Sequence, residues 1–255
     1  MTSNPGVRDP RIAVLVYNDA ANDSRVLKES ASLRDEGYQV RIIAVERREL
    51  GRAAQTTALR EGLCLQRVPE FTIERVLPAL APLWRNLIRQ EAVDAPPAHP
   101  PAPGPRRPGA PLASTRARML RGLRNVGERA YRTLALGTYW VNAARAGRDF
   151  APDVVHANDA NTLVPALAIR ALSRTPVGIV YDSHELWRHR NVRPGRLLAP
   201  LVEHLTEAIG IRQVDGVITV SPSIAEWLRS TYRLPTTPTL VRNVPVADGV
   251  PDRST

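Results

Sequence analysis

Apolar positions recur along this chain on two periods, and the switches between them mark out its elements. Arg11-Ile-Ala-Val-Leu-Val-Tyr17 is an unbroken apolar run, as in a strand covered on both faces. A polar loop, Asn18 to Ser24, follows. From Ser24 to Glu36 the spacing becomes helical, with Val26, Leu27, Ser30 and Leu33 as the buried stripe, Asp23 as N-cap and Gly37 as the stop. Gln39 to Val45 is a second apolar run. Strand, helix and strand in this order predict a right-handed, parallel βαβ unit.

The second half repeats the pattern more regularly. Pro152 to Ala157 predicts a strand with a polar tip, Asn158 to Thr162, and Leu163 to Leu172 an apolar helix. Val177 to Tyr181 is the next strand and ends abruptly in Asp182, Ser183, His184 and Glu185. A helix over 193–213 and a strand from Asp215 to Val220 follow. Ser221 then serves as N-cap with Pro222 at the first helical position, and Thr239 to Arg242 is a last short strand. No internal repeat occurs. The fold class predicted is α/β, a Rossmann-like open, mainly parallel sheet with helices on both faces.

The middle of the chain is less regular. Arg60 to Val68 alternates as one strand, and 70–93 has helical spacing broken by Pro78 and Pro82. Residues 95–113 are so rich in proline that they predict an exposed insertion. Residues 114–148 predict one long or broken helix, with Arg116, Arg118, Arg121, Arg124, Arg129 and Arg132 against Glu128 alone in its first half. Two readings stay open for 114–132: a helix packed on the sheet with a solvated basic face, or a basic amphipathic helix lying on an anionic membrane surface. The expected organisation is a disordered segment 1–10, a domain over 11–245 interrupted by 95–113, and a tail over 246–255.

Composition changes this picture in two ways. A net charge of +10 favours an anionic partner, but Lys28 is the only lysine, and the excess of arginine alongside 23 prolines and abundant alanine could equally reflect coding bias. Cys64 is the only cysteine, which excludes an internal disulfide and a cysteine metal cluster, and it alternates with apolar residues as a buried small hydrophobe does. The first eleven residues lack a signal-peptide core, and no apolar run approaches 18 residues. A cytoplasmic location is expected, with any membrane contact peripheral, on the inner face.

Four polar strand tips line one edge of the predicted sheet: Asn18 to Arg25, His156 to Asn161, Asp182 to Glu185, and Ser221. Strand carboxyl ends are where open α/β sheets bind ligands, and helix N-termini there attract anions. Each tip taken alone could be helix capping, with Asp182 or Ser183 as an N-cap. No Gly-x-Ser-x-Gly elbow, dinucleotide fingerprint or P-loop is present. His156, Asp159, His184 and Glu185 have only weak metal-ligand spacing, and the arginine helix lacks the aromatics of a nucleic-acid module.

Four runs carry a resemblance: Asn22-Asp-Ser-Arg-Val-Leu-Lys-Glu29 with Gly37 after it; Val154-Val-His-Ala-Asn-Asp-Ala-Asn-Thr-Leu163; Val180-Tyr-Asp-Ser-His-Glu-Leu186; and Asp215-Gly-Val-Ile-Thr-Val-Ser-Pro-Ser-Ile-Ala225, ending at Val241-Arg-Asn-Val-Pro245. In order and spacing the chain resembles the N-terminal domain of family 4-like glycosyltransferases, which have the GT-B architecture of two facing Rossmann-like domains. The resemblance implies an acceptor-side domain in an enzyme that moves a sugar from a nucleotide sugar to an acceptor, such as a lipid-linked or cell-surface glycan precursor, with retention. It implies His184 as the catalytic group beside the transferred sugar. Arg25 would meet a diphosphate or acceptor phosphate, Asp159 with His156 would shape the acceptor pocket, and Asp182 and Glu185 would orient His184 and bind hydroxyls. Asn22, Asp23, Asn161 and Ser221 complete the candidate binding set.

No metal and no cofactor is expected beyond the nucleotide-sugar co-substrate. The expected partners are the sugar acceptor, a separate donor-domain chain and an anionic membrane surface, and not nucleic acid. Two departures stand out. Asp19-Ala-Ala-Asn-Asp23 replaces the glycine-rich loop of many relatives, and the chain ends where a donor domain is expected to begin. The alternative is a non-catalytic binding or partner protein that keeps only the acceptor domain.

Overall fold

The computed structural model describes residues 9–82, 115–186 and 199–242, and among these the side chains of 115–121, 123, 124 and 199–204 are left aside. The expected disordered start, the proline-rich insertion, the first turns of the 193–213 helix and the C-terminal tail therefore lie wholly or largely outside the described residues. The chain divides into two compact units, Met1–Pro69 with Tyr139–Thr255, and Glu70–Thr138.

The first unit holds one eight-stranded sheet in the order β3-β4-β2-β1-β5-β6-β7-β8. Its strands are β1 (Arg11–Leu15), β2 (Gln39–Val45), β3 (Thr56–Arg60), β4 (Leu63–Val68), β5 (Val154–Asn158), β6 (Gly178–Ser183), β7 (Gly216–Thr219) and β8 (Thr239–Leu240). All pairings are parallel except β3 with β4. The single strand expected over 60–68 is thus the second arm of a hairpin. Gly62, at φ +75°, makes its turn. Thr56–Arg60 is an edge strand and mostly exposed, so it lacks the apolar alternation that marks a strand in sequence.

Helix α1 (Ser24–Asp35) follows β1 as expected. Asp23 accepts the Val26 N–H at its start, and Gly37, at φ +93°, lies just beyond its end. Val26 joins Ile12, Val14, Val16, Val40, Ile42 and Leu65 in one core layer. On the opposite face runs a second helix, which starts in the other unit. The expectation over 114–148 left a break open; the helix is one piece, Thr115–Phe150. A Cβ at Gly147 would collide with Ile169 and come 3.7 Å from Ile43, so glycine permits close approach there. Ile169 belongs to Leu163–Leu172, the helix after β5.

Helix Ala199–Gly210 follows β6, and helix Pro222–Tyr232, capped by Ser221, follows β7. Between them sits Glu207, 1 % exposed, whose carboxylate accepts the hydroxyls of Tyr181 at 2.8 Å and Tyr232 at 2.7 Å. One buried acid thus satisfies two buried phenols, joining β6 to both helices.

In the second unit the broken helical spacing over 70–93 becomes a single turn, Ile73–Val76, and a 3-10 turn, Pro78–Leu80; residues 83–93 lie outside the described set. Phe71 packs edge-on against Tyr131 at 5.6 Å. Val76, Leu77, Leu80, Val126 and Leu134 of this unit are exposed.

Candidate functional site

Strand order reverses direction between β1 and β5: β2 lies on one side of β1, and β5 to β8 run outward on the other. Chains leaving these two strands part to opposite sides, opening a crevice at their carboxyl ends. Asn158 bridges the gap, its Nδ2 donating to Leu15 O at 3.0 Å. Thr219 Oγ1 donates to Ser183 O at 2.7 Å, fixing the tip of β6 one residue before His184.

A cavity of about 820 Å³ opens here, lined by Asn22, Asp23, Arg25, His184 and Glu185, all singled out in sequence, with Asn18, Asp19, Ser24, Val220 and Arg242. Asp182 and His156 are buried, and with Asp159, Asn161 and Ser221 they do not form its lining. Ser221 caps its helix, accepting the Ile224 N–H at 3.3 Å. Asp23 is similarly engaged, by the Val26 N–H and by Asn18 Nδ2 at 2.8 Å. Asn161 accepts Trp140 Nε1–H through its backbone oxygen at 2.6 Å, and its Oδ1 is buried without a hydrogen-bond partner.

The centre of the site is a charge cluster behind the cavity wall. Arg25 is only 6 % exposed. Its Nη2 donates to Asp182 Oδ2 at 2.6 Å, its Nε lies 3.0 Å from the same oxygen, and its Nη1 donates to Val241 O at 3.0 Å. The residue expected to meet a phosphate thus reaches the cavity but directs most of its hydrogen bonds inward. His184 Nε2 lies 2.9 Å from Asp182 Oδ2. Asp182 is part of β6 and its side chain is engaged by Arg25 and His184, which disposes of the reading of it as a helix cap.

Burial by itself would raise the Asp182 carboxyl, but His156, His184 and Arg25 outweigh it and hold it well below the ordinary carboxylate range. His156 Nε2 is 3.7 Å away, beyond a hydrogen bond, so His184 and Arg25 make the close contacts. For His184, burial disfavours a charged ring, yet the bond to Asp182 and the charges of Asp182 and Asp159 carry its pKa above the usual 6.5.

Sequence reasoning missed Glu29. It lies one helical turn after Arg25 on α1, with Oε1 3.0 Å from Arg25 Nε and Oε2 3.9 Å from His156 Nε2. Burial pushes its carboxyl up; His156 and Arg25 pull against that, and Asp182 adds to the rise. The i,i+4 acid–base spacing was the available signal, but on a helix it reads first as a surface pair.

Glu29, His156 and Asp182 bring one ligand atom each within 4.8 Å of one another, a different grouping from the weak metal set considered in sequence. The Arg25 guanidinium already supplies a cation to both carboxylates, and a metal ion would have to displace it.

Asp159 carries the other anomaly. It sits at the end of β5 with φ +63° and ψ 161°, a region that essentially only glycine occupies. It is held there by its N–H donating to Asp182 O at 2.9 Å and by its carbonyl accepting from Thr162 N and Oγ1. Strain of this kind persists where the surroundings over-determine it, commonly at functional sites.

The sequence profile of Glycosyltransferase Family 4 matches residues 97–243, more than half of the 255. The chain belongs to Glycosyltransferase Family 4. The match takes in β5 to β8 and hence Asp159, Asp182 and His184, while β1 to β4 precede it. No curated protein matches this family 4 chain significantly. Among solved structures, it is similar to sucrose-phosphate synthase from Thermosynechococcus elongatus, with a TM-score of 0.54 at 12% identity over 91% of this chain and 48% of that one. A second structure of that synthase gives a TM-score of 0.53 at 11% identity, over 92% of this chain and 89% of the other. The family 4 chain thus spans about half the length of the first of these. At such identities the likeness establishes the fold, an α/β half of GT-B type.

Proposed function

We propose that this chain is the acceptor-side half of a retaining glycosyltransferase, which receives a sugar acceptor in the crevice and works with a donor-side domain carrying the nucleotide sugar. The observation that carries the reading is His184. It stands at the carboxyl end of β6, lines the cavity and is held from behind by Asp182. A ring so fixed can donate a hydrogen bond to the transferred sugar or to the departing diphosphate, where charge develops. Asn22 and Glu185, both exposed at the cavity, supply the polar groups that sugar hydroxyls need. Asp159 and His156 act from behind the cavity wall as supports of its shape.

The test begins with the tagged chain purified from its host and its co-purifying polypeptides identified by mass spectrometry. A companion with a donor-binding domain is expected. Release of nucleoside diphosphate from UDP- and GDP-sugars by that complex is then compared with a His184→Ala complex, which should be slower by at least about 10²-fold, as for loss of one positioned stabilising donor. Equal rates would remove His184 from the chemistry. Acceptor binding without any transfer would favour the binding-protein alternative.

A further inference from the structure

Two acceptors compete for one hydrogen at the centre of this site. Arg25 Nε donates towards both His184 Nε2 at 2.9 Å and Asp182 Oδ2 at 3.0 Å. His184 Nε2 is also 2.9 Å from Asp182 Oδ2. Suppose Nε2 were the bare nitrogen, accepting from Arg25. Its lone pair would then stand hydrogen-bond distance from a carboxylate with no proton between them, a costly contact in a buried setting. With the hydrogen on Nε2, the ring donates to Asp182 in a charge-assisted bond. Arg25 Nε–H is left to Asp182, with the Glu29 carboxylate beside it as an ion-pair partner.

We propose that Asp182 is a positioning residue that keeps the hydrogen on Nε2 of His184, so that the ring meets its ligand through Nδ1. The inference rests on the reading of His184 as the group facing the transferred sugar and names the atom that does so. Nδ1 is the ring nitrogen nearer the main chain. A ligand oxygen must therefore come down to the mouth of β6 to reach it, rather than meet the far end of the ring. The raised ring pKa is consistent with this arrangement, because the carboxylate that fixes Nε2 also favours a second proton on Nδ1.

Ring-nitrogen-labelled histidine in the full chain, read by long-range proton–nitrogen correlation spectra, reports the tautomer of each of the five histidines. His184→Gln removes one ring and so assigns it. The expected result is a ring whose Nε2 stays protonated as pH rises while Nδ1 alone gives up its proton. A bare Nε2 in the wild-type protein at alkaline pH overturns the proposal. In Asp182→Asn the new amide N–H can donate to Nε2, and the hydrogen is expected to move to Nδ1, as carboxylate-to-amide changes do beside other histidines. An unchanged tautomer in that variant removes Asp182 from the role. If the variant does not fold, the wild-type spectra decide alone. The spectra need no sugar donor: an inactive complex with the expected tautomer would count against the transferase reading only, and an active one with a bare Nε2 against this inference only.

Discussion

Asp182 is fully buried and yet charged, and the pH dependence of the fold should reveal how that is sustained. Its carboxyl lies below its ordinary 3.8, so its contribution to stability is present above 3.8 and is lost as pH falls through the folded value. The His184 ring lies above its ordinary 6.5, so its contribution is present below 6.5 and fades as pH rises through the folded value. Glu29 has the opposite sign from Asp182: raised above 4.5, it weakens the fold as pH climbs through its own window. A double-mutant cycle of Asp182→Asn and His184→Gln, followed by urea unfolding, should therefore give its largest coupling between 3.8 and 6.5 and a smaller one on either side. Arg25→Ala, which strands a buried carboxylate, should cost about 3–5 kcal/mol. Asp159→Gly should do the reverse, stabilising the fold by about 1 kcal/mol through released backbone strain while slowing transfer; an unchanged unfolding midpoint would contradict that. His184, Asp182 and Arg25 were legible because each ends an apolar run or opens a helix. The strain at Asp159 was not, since nothing in the residue type demands a positive φ.

Among the elements, those with a buried face were read from the sequence within a few residues, because burial imposes the period that makes them visible. The edge strand Thr56–Arg60 has no such face, and the hairpin it forms was missed. Glu207 escaped for a related reason: an acid within an apolar helix looks like its solvated side, and only the folded chain brings Tyr181 and Tyr232 to it. Glu207→Ala would take their shared acceptor from two buried phenols, and a loss of about 2–5 kcal/mol in urea unfolding is expected. A loss under 1 kcal/mol would mean that the helices are held without it.

For the whole molecule, the parallel topology was legible from strands alternating with helices, and the polar tips fell on one edge because parallel strands all point the same way. Which of the tips line the crevice, Asn18 to Arg25 and His184 with Glu185, depended on strand order, which sequence left open. Among the described residues no helix is long and apolar enough to cross a membrane. Peripheral contact through 114–132 is our proposal, favoured by arginine-rich composition and by Val126 and Leu134, exposed on the same helix at 63% and 52%. Vesicles with a third of their lipid anionic should then bind the chain and release it as salt is raised. Reversing Arg129 and Arg132 to Glu should weaken that binding several-fold; binding indifferent to salt and to both changes would leave the packed-helix reading.

Strand order also dictates a timetable. One flank of β1 is covered as soon as β2 has been made, but its other flank waits for β5, and the Arg25–Asp182 contact spans 157 positions of chain. At ribosomal speeds that is on the order of ten seconds during which an apolar strand edge and a guanidinium held only by its i,i+4 neighbour Glu29 await their partners. The crevice therefore cannot exist before β6 has been made, and a ribosome that stalls before β6 releases a chain with a nearly complete half-sheet and no site.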